Sequence, residues 1–178
     1  DGVALIRFFG HFYSGKIKFL VNDLLMHIKP LAPVFLPINK YGSQAKESSL
    51  QINNAYESDE QMLIFPAGLC SRLQHGKIKD LEWKKTFIAK AVQSQRDIIP
   101  IYFEGRNSTF FYRFAQIRKC IGLKFNIELI YLPDEMFNSK NKTFDIYIGK
   151  PIPWQTFDKS KSLQEWAQIV KEKVYQIK

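Results

Sequence analysis

A chain of 178 residues that is 46% apolar can bury one hydrophobic core without metal or disulfide staples, so a single domain over residues 1–178 is expected. Its two cysteines, Cys70 and Cys120, make a poor disulfide framework and lack metal-ligand spacing, which favours a reducing setting and implies no metal. Against 17 acidic residues stand 26 basic ones, a net +9 that predicts attraction to an anionic surface or ligand, and no run of about 18 apolar residues is present to span a bilayer.

In chain order, Val3 to Phe12 reads as a helix ending at Gly15, and Lys16 to Val21 as a short strand in which Ile17, Phe19 and Val21 alternate against Lys16 and Lys18. Asn22-Asp23 can cap a short helix, Leu24 to Ile28. Pro33 to Ile38 is a nearly continuous apolar run, expected of a strand covered on both faces and limited by its prolines to few pairs. Ser43 to Ser58 is polar and helix-compatible, and Met62 to Phe65 is a further buried strand. Leu81 to Gln95 carries apolar residues at helical spacing, Asp97 to Phe103 is a strand, and Ser108 to Cys120 is a helix reaching Gly122. Phe125 to Leu132 and Phe144 to Ile148 read as strands, and Leu163 to Ile177 as an amphipathic helix. Alternating β and α elements predict an α/β fold whose central sheet is mainly parallel and flanked by helices.

The stretch Leu63 to Arg72 carries the most chemistry. An apolar strand runs there into a Pro66–Gly68 turn that presents the Cys70 thiol, the Ser71 hydroxyl and the Arg72 guanidinium together. In α/β proteins strands deliver polar groups at their carboxyl ends, and a glycine lets backbone N–H groups approach an anion. Taken alone, a strand followed by Pro and Gly is an ordinary turn. Cys70-x4-His75 invites a cysteine-nucleophile reading, but no third group to orient the histidine stands nearby. Aromatic pairs, Phe8-Phe9 and Phe110-Phe111, lie beside Arg7, His11, Tyr112 and Arg113, a mixture that suits a membrane interface as well as it suits a core.

The ordered motifs Phe65-Pro66-Ala67-Gly68-Leu69-Cys70-Ser71, Trp83-Lys84-Lys85-Thr86-Phe87 and Ile98-Ile99-Pro100-Ile101 resemble the glycerolipid acyltransferase family over essentially the whole chain. Members move a fatty acyl group from a thioester to a lipid hydroxyl. The family's Phe-Pro-Glu-Gly-Thr-Arg-Ser block keeps Phe, Pro, Gly and Ser here, whereas Ala67, Leu69 and Cys70 replace Glu, Thr and Arg. Phe35-Leu36-Pro37-Ile38-Asn39-Lys40 is similar to the block that supplies a cation, with Lys40 in place of Arg, a point charge in place of a bidentate fork.

In the His-x4-Asp block the resemblance matches Asp1 to the carboxylate that orients the general-base histidine. It puts the base five residues before position 1 and implies a chain cut inside a domain and inactive as it stands. His11, His27 and His75 are not followed by Asp at that spacing, and surface or core roles are expected of them. The resemblance further implies substrate-binding roles for Lys40, Gly68, Ser71, Arg72 and Arg106, with backbone N–H groups near Gly68 or a nearby cation stabilising the oxyanion. No bound cofactor is implied; acyl carrier protein or coenzyme A carries the acyl group as co-substrate. The sequences around Phe65, Asp80 and Glu104 look like a hemolysin-like bacterial branch related to amino-acid-lipid O-acyltransferases. Loss of the motif Glu and Arg then points away from a plain glycerol phosphate and towards a hydroxyl-bearing acyl-amino-acid. The implied setting is phospholipid or related lipid metabolism, peripheral on the cytoplasmic face of the bacterial inner membrane, with anionic lipid as a partner. The alternative within the same fold is an inactive lipid-binding or scaffolding protein. Nucleic acid is not expected as a partner, because the lysines are dispersed and no recognition module is present.

Overall fold

Alternation in Ile17-Lys18-Phe19-Leu20-Val21 builds the strand on which the sheet is centred: Ile17, Phe19 and Val21 are buried and the residues between them are half-covered. The computed structural model describes residues 2–21, 29–38, 43–123 and 125–177. Strand β1 (Ile17–Val21) lies between β2 (Phe35–Pro37) and β3 (Gln61–Leu63), and both pairings are parallel, with Phe19 opposite Phe35 on one side and Leu63 on the other. Helix α1 (Gly2–Phe12) precedes β1 and packs Leu5 and Phe9 onto the same core. The chain reverses at Ser14 and Gly15, both at positive φ, so α1 and β1 lie antiparallel and side by side.

Helix α2 (Ser43–Glu57) links β2 to β3, and α3 (Thr86–Ser94) and α6 (Leu163–Tyr175) form a second core around Ile88 and Ala167, neither of which is exposed at all. Strand β6 (Ile101–Glu104) lies between the two cores. Its Tyr102 joins the α3/α6 cluster while Ile101 and Phe103 join the β1 cluster, as alternation requires. Strand β7 (Asp145–Ile148) pairs with β6 antiparallel. The fold class is α/β as expected, with a parallel sheet that has three strands among the described residues and two separate antiparallel pairs beside it.

Four segments differ from the sequence expectation. Pro33 and Val34 belong to a 3-10 turn, Lys29–Val34, because proline has no N–H to give a ladder and its fixed φ suits the turn; the strand starts only at Phe35. Residues 81–85 stay outside α3, since the Gln164, Gln168 and Lys171 side chains of α6 donate to the carbonyls of Trp83 and Leu81. Pro100 likewise delays β6, and Ile98 makes only an isolated bridge to Ile152. The predicted strand 125–132 is instead a 3-10 segment, Ile127–Tyr131, followed by α5 (Leu132–Phe137) with Pro133 in its first turn. The unforeseen β4 (Arg72–Gln74) and β5 (Lys77–Lys79) form a hairpin whose two turn residues, His75 and Gly76, both have positive φ. The short helix expected over 24–28 lies outside the described residues.

Phe19 is 1% exposed and its ring lies 6.4 Å from that of Phe35 and 6.3 Å from that of Phe65, so Phe19→Ala should lower stability by about 3–5 kcal/mol, read as a fall in the denaturant midpoint at unchanged slope.

Candidate active site at the carboxyl edge of the sheet

Parallel pairing sets the carboxyl ends of β2 and β3 at one edge of the sheet, and α1, running back along β1, starts at that same edge. Its first described residue, Gly2, lies against the Phe65 ring, 3.9 Å from where a Cβ would stand. Three stretches widely separated in sequence therefore converge: the start of α1, the chain leaving Pro37, and the turn Phe65–Arg72. Asp1 and Lys40 border the first two and lie outside the described residues. A cavity of about 660 Å³ between Gln61, Arg96, Asp97 and Trp154 is at the other end of β3 and away from the turn Phe65–Arg72; of the motif residues, Ile99 lines it.

The turn itself is tightly held. Gly68 has φ +68°, a left-handed conformation that L side chains enter at a cost, and its N–H donates to the Phe65 carbonyl at 2.9 Å. That donor is consequently engaged within the turn, and the expected oxyanion contact from Gly68 itself is not free. A Cβ at Gly68 would come within 3.1 Å of the Lys84 Nζ, so an exposed ammonium sits directly over the glycine; Lys84 is anchored by its own N–H, which donates to the Pro66 carbonyl at 3.0 Å. Ser71 faces inward. Its hydroxyl donates to Asp80 at 2.6 Å, the other Asp80 oxygen accepts the Trp83 indole N–H at 3.0 Å, and the Asp80 N–H donates to the Tyr175 hydroxyl at 2.9 Å. Ser71 thus ties the turn to the entrance of α3 and to α6.

Arg72 is held in a buried cluster. Its guanidinium donates to the Cys70 and Ser71 carbonyls, at 2.9 and 3.3 Å, and to Glu128 at 2.7 Å, and lies 5.8 Å over the Phe111 ring. Glu128 is inaccessible to water and also pairs with Arg118 at 2.8 Å, while both arginine side chains are only 12% exposed. Arg118 reaches the Leu123 carbonyl and Asn126 as well. One buried carboxylate between two guanidiniums therefore joins the motif turn, helix α4 (Thr109–Cys120) and the segment 125–132.

Burial pushes the Cys70 thiol up, only partly opposed by Arg72, so at neutral pH it is a neutral thiol and a poor nucleophile. His75 is taken up by the hairpin turn and His11 is exposed on α1, while His27 lies outside the described residues. Arg106 is exposed in the loop after β6, near the hydroxyl of the buried Tyr112; that hydroxyl is pushed up by burial, an effect Arg106 opposes, and it accepts the Asn107 N–H at 3.1 Å. Of the aromatic residues suggested for a membrane interface, Phe110 and Arg113 are exposed, Phe9, Phe111 and Tyr112 are buried, and Phe8 is half-covered.

A family model described as acyltransferase matches residues 1–178 in full. The chain belongs to the acyltransferase family. It is 56% identical over 177 residues to a lyso-glycine lipid O-acyltransferase of Bacteroides thetaiotaomicron, covering 99% of this chain and 65% of that protein. With a protein of the same name from Phocaeicola vulgatus it shares 54% identity over 177 residues, 99% of this chain and 63% of the relative. The chain thus spans just under two thirds of these relatives' lengths. No solved structure gives a significant match.

Sequence reasoning missed Glu128, Asp80 and the part played by Lys84 over the glycine. Glu128 left the plainest signal, a lone acid inside Ile127-Glu128-Leu129-Ile130, which a half-buried strand would not carry without a cationic partner.

Glu128→Ala leaves two buried guanidiniums without their carboxylate and should cost about 3–5 kcal/mol, whereas replacing Arg72, Glu128 and Arg118 together by Met, Leu and Met should cost much less; denaturant unfolding of both variants checks the contrast. At neutral pH iodoacetamide should alkylate the exposed Cys120 well before Cys70, and Cys70 should react appreciably only as the pH rises above the ordinary thiol range, which mass spectrometry of the digested acyltransferase will show.

Proposed function

We propose that the acyltransferase moves a fatty acyl group from an acyl carrier protein or coenzyme A thioester to the hydroxyl of a lipid whose head is an N-acylated amino acid, of the kind named in its lyso-glycine lipid relatives. The acceptor oxygen attacks the thioester carbonyl, its proton passes to a general base, a C–O bond forms, and the C–S bond breaks. The leaving thiolate takes up the proton. The resemblance assigns that base to a histidine upstream of position 1, oriented by Asp1, and Lys40 supplies a further cation after β2.

The observation that carries the reading is the ammonium over the glycine. Arg72, the cation nearest in sequence to the motif position vacated by Arg, is bound to Glu128 and to two carbonyls of its own turn. Its part is then to shape the turn, as is that of Ser71 through Asp80. Lys84, exposed over Gly68, and Arg106, exposed beside Tyr112, are left to face an anionic head. A single carboxylate can be held by one ammonium, whereas a phosphate monoester with near two charges favours a guanidinium fork, so the loss of the motif Arg agrees with an acyl-amino-acid acceptor.

The test uses the full-length protein with acyl carrier protein and coenzyme A thioesters, offered either an N-acyl-glycine bearing a hydroxyl on its acyl chain or lysophosphatidic acid. Ester formation on the glycine lipid in preference to the phosphate is expected, and the reverse preference overturns the reading. Lys84→Ala should lower kcat/KM for the glycine acceptor about 10- to 100-fold, mainly through KM, with Lys84→Arg recovering part of the loss; an unchanged KM removes Lys84 from the acceptor site.

A further inference from the structure

Half of the exposed large apolar residues among those described, nine of eighteen, fall between Phe110 and Phe137. Phe110 and Phe114 of α4 pack edge-on against Tyr131, which sets the outer side of α4 beside the segment that follows it. On α4, Phe110 and Ile117 stand seven residues apart on the outer side, followed four residues later by Ile121, while Phe111 and Ala115 on the opposite side are buried and Arg118 turns in to Glu128. The segment behind α4 continues outward with Phe125, 82% exposed, Ile130, 73%, and Phe137, 69%. Such exposure of bulky apolar groups is unusual for scattered surface residues, and here it is contiguous in chain and element order.

We propose that this face, formed by the outer side of α4 with the 125–137 segment, docks onto an anionic lipid bilayer beside the motif turn. The charges that accompany it favour that occupant: Arg113, Lys119, Lys140 and Lys142 are exposed along this stretch against the exposed acids Asp134 and, just beyond it, Asp145, in a chain of net +9. Apolar side chains rimmed by cations match a leaflet with anionic headgroups over an acyl layer. The face is also rigidly joined to the candidate site. Phe110 adjoins Phe111, over which the Arg72 guanidinium lies, and Glu128 sits between the exposed Ile127 and Ile130 while holding Arg72 of the turn. Docking there brings the leaflet next to the loop that receives the acceptor, so a lipid reaches the site without crossing water. This surface rests on the lipid-acceptor reading for its purpose but not for its existence.

The test places a reporter in the face of the full-length protein. Trp emission of Phe125→Trp, taken as the difference from the parent, should be that of a water-exposed indole in the free protein and should shift to the blue on adding vesicles with one part phosphatidylglycerol to about two parts phosphatidylcholine. A blue emission before vesicles are added shows that the rest of the chain or a second copy covers the face, and overturns the proposal. So does binding to vesicles with no change at position 125. Ile117→Glu with Phe125→Glu should weaken vesicle binding at least tenfold, and each cation replaced by Gln should weaken it about fivefold at low salt. The double variant should keep its activity on acceptor dispersed in detergent; an equal loss there makes the face part of the reaction site and refutes a docking role. A shift at position 125 in a protein that esterifies no lipid would retain the docking face and overturn the proposed reaction instead.

Discussion

The buried carboxylate of Glu128 between Arg72 and Arg118 is the contact on which the arrangement of the site depends. Burying a charge is costly unless it is paired, and two guanidiniums meet that requirement by approaching from different elements. One comes from the strand that leaves the motif turn, the other from α4. The carboxylate itself comes from a segment that has no ladder to hold it in place. Nonpolar packing could join the same three pieces more cheaply, but it would not fix the direction in which Arg72 points. By holding one side of the guanidinium, Glu128 keeps the other side on the Cys70 and Ser71 carbonyls, and so fixes the curvature of the turn.

Around that fixed turn the parallel sheet does the gathering. Because β1, β2 and β3 run in one direction and α1 runs back along them, residues near positions 2, 38 and 65 share one edge although the sequence separates them widely. No antiparallel pairing of the same strands would do this, since neighbouring carboxyl ends would alternate between edges.

Much of this was legible before any coordinates. The alternation in Ile17 to Val21, the helices over 2–12, 109–120 and 163–175, and the convergence of motifs at strand ends follow from period and order. What was not legible shares one physical cause: local pattern cannot say which side chain a distant element will satisfy. Ile127-Glu128-Leu129-Ile130 has the composition of a strand, yet its acid is drawn inward by arginines 10 and 56 residues away and the backbone follows in a 3-10 course. The segment before α3 has helical spacing, yet its carbonyls are claimed by side chains of α6, about 80 to 90 residues on. The hairpin at His75-Gly76 was readable in principle, as two residues fit for left-handed backbone between short alternating runs.

The departures from the family pattern then take on a common logic. At position 70 a cysteine replaces an arginine, and the position is half-buried, with burial holding the thiol in its neutral form. An arginine there would need a partner in a place whose neighbouring carboxylate is already shared by two guanidiniums. Arg72, two residues on and therefore on the same side of an extended chain, takes the inward place and leaves the outer face of the turn without a guanidinium. Lys84, from the motif that precedes α3, brings a charge to that face, reaching across to Gly68 because the glycine has no side chain to exclude it. The outer face of the turn thus carries a point charge on a flexible stem and no planar fork.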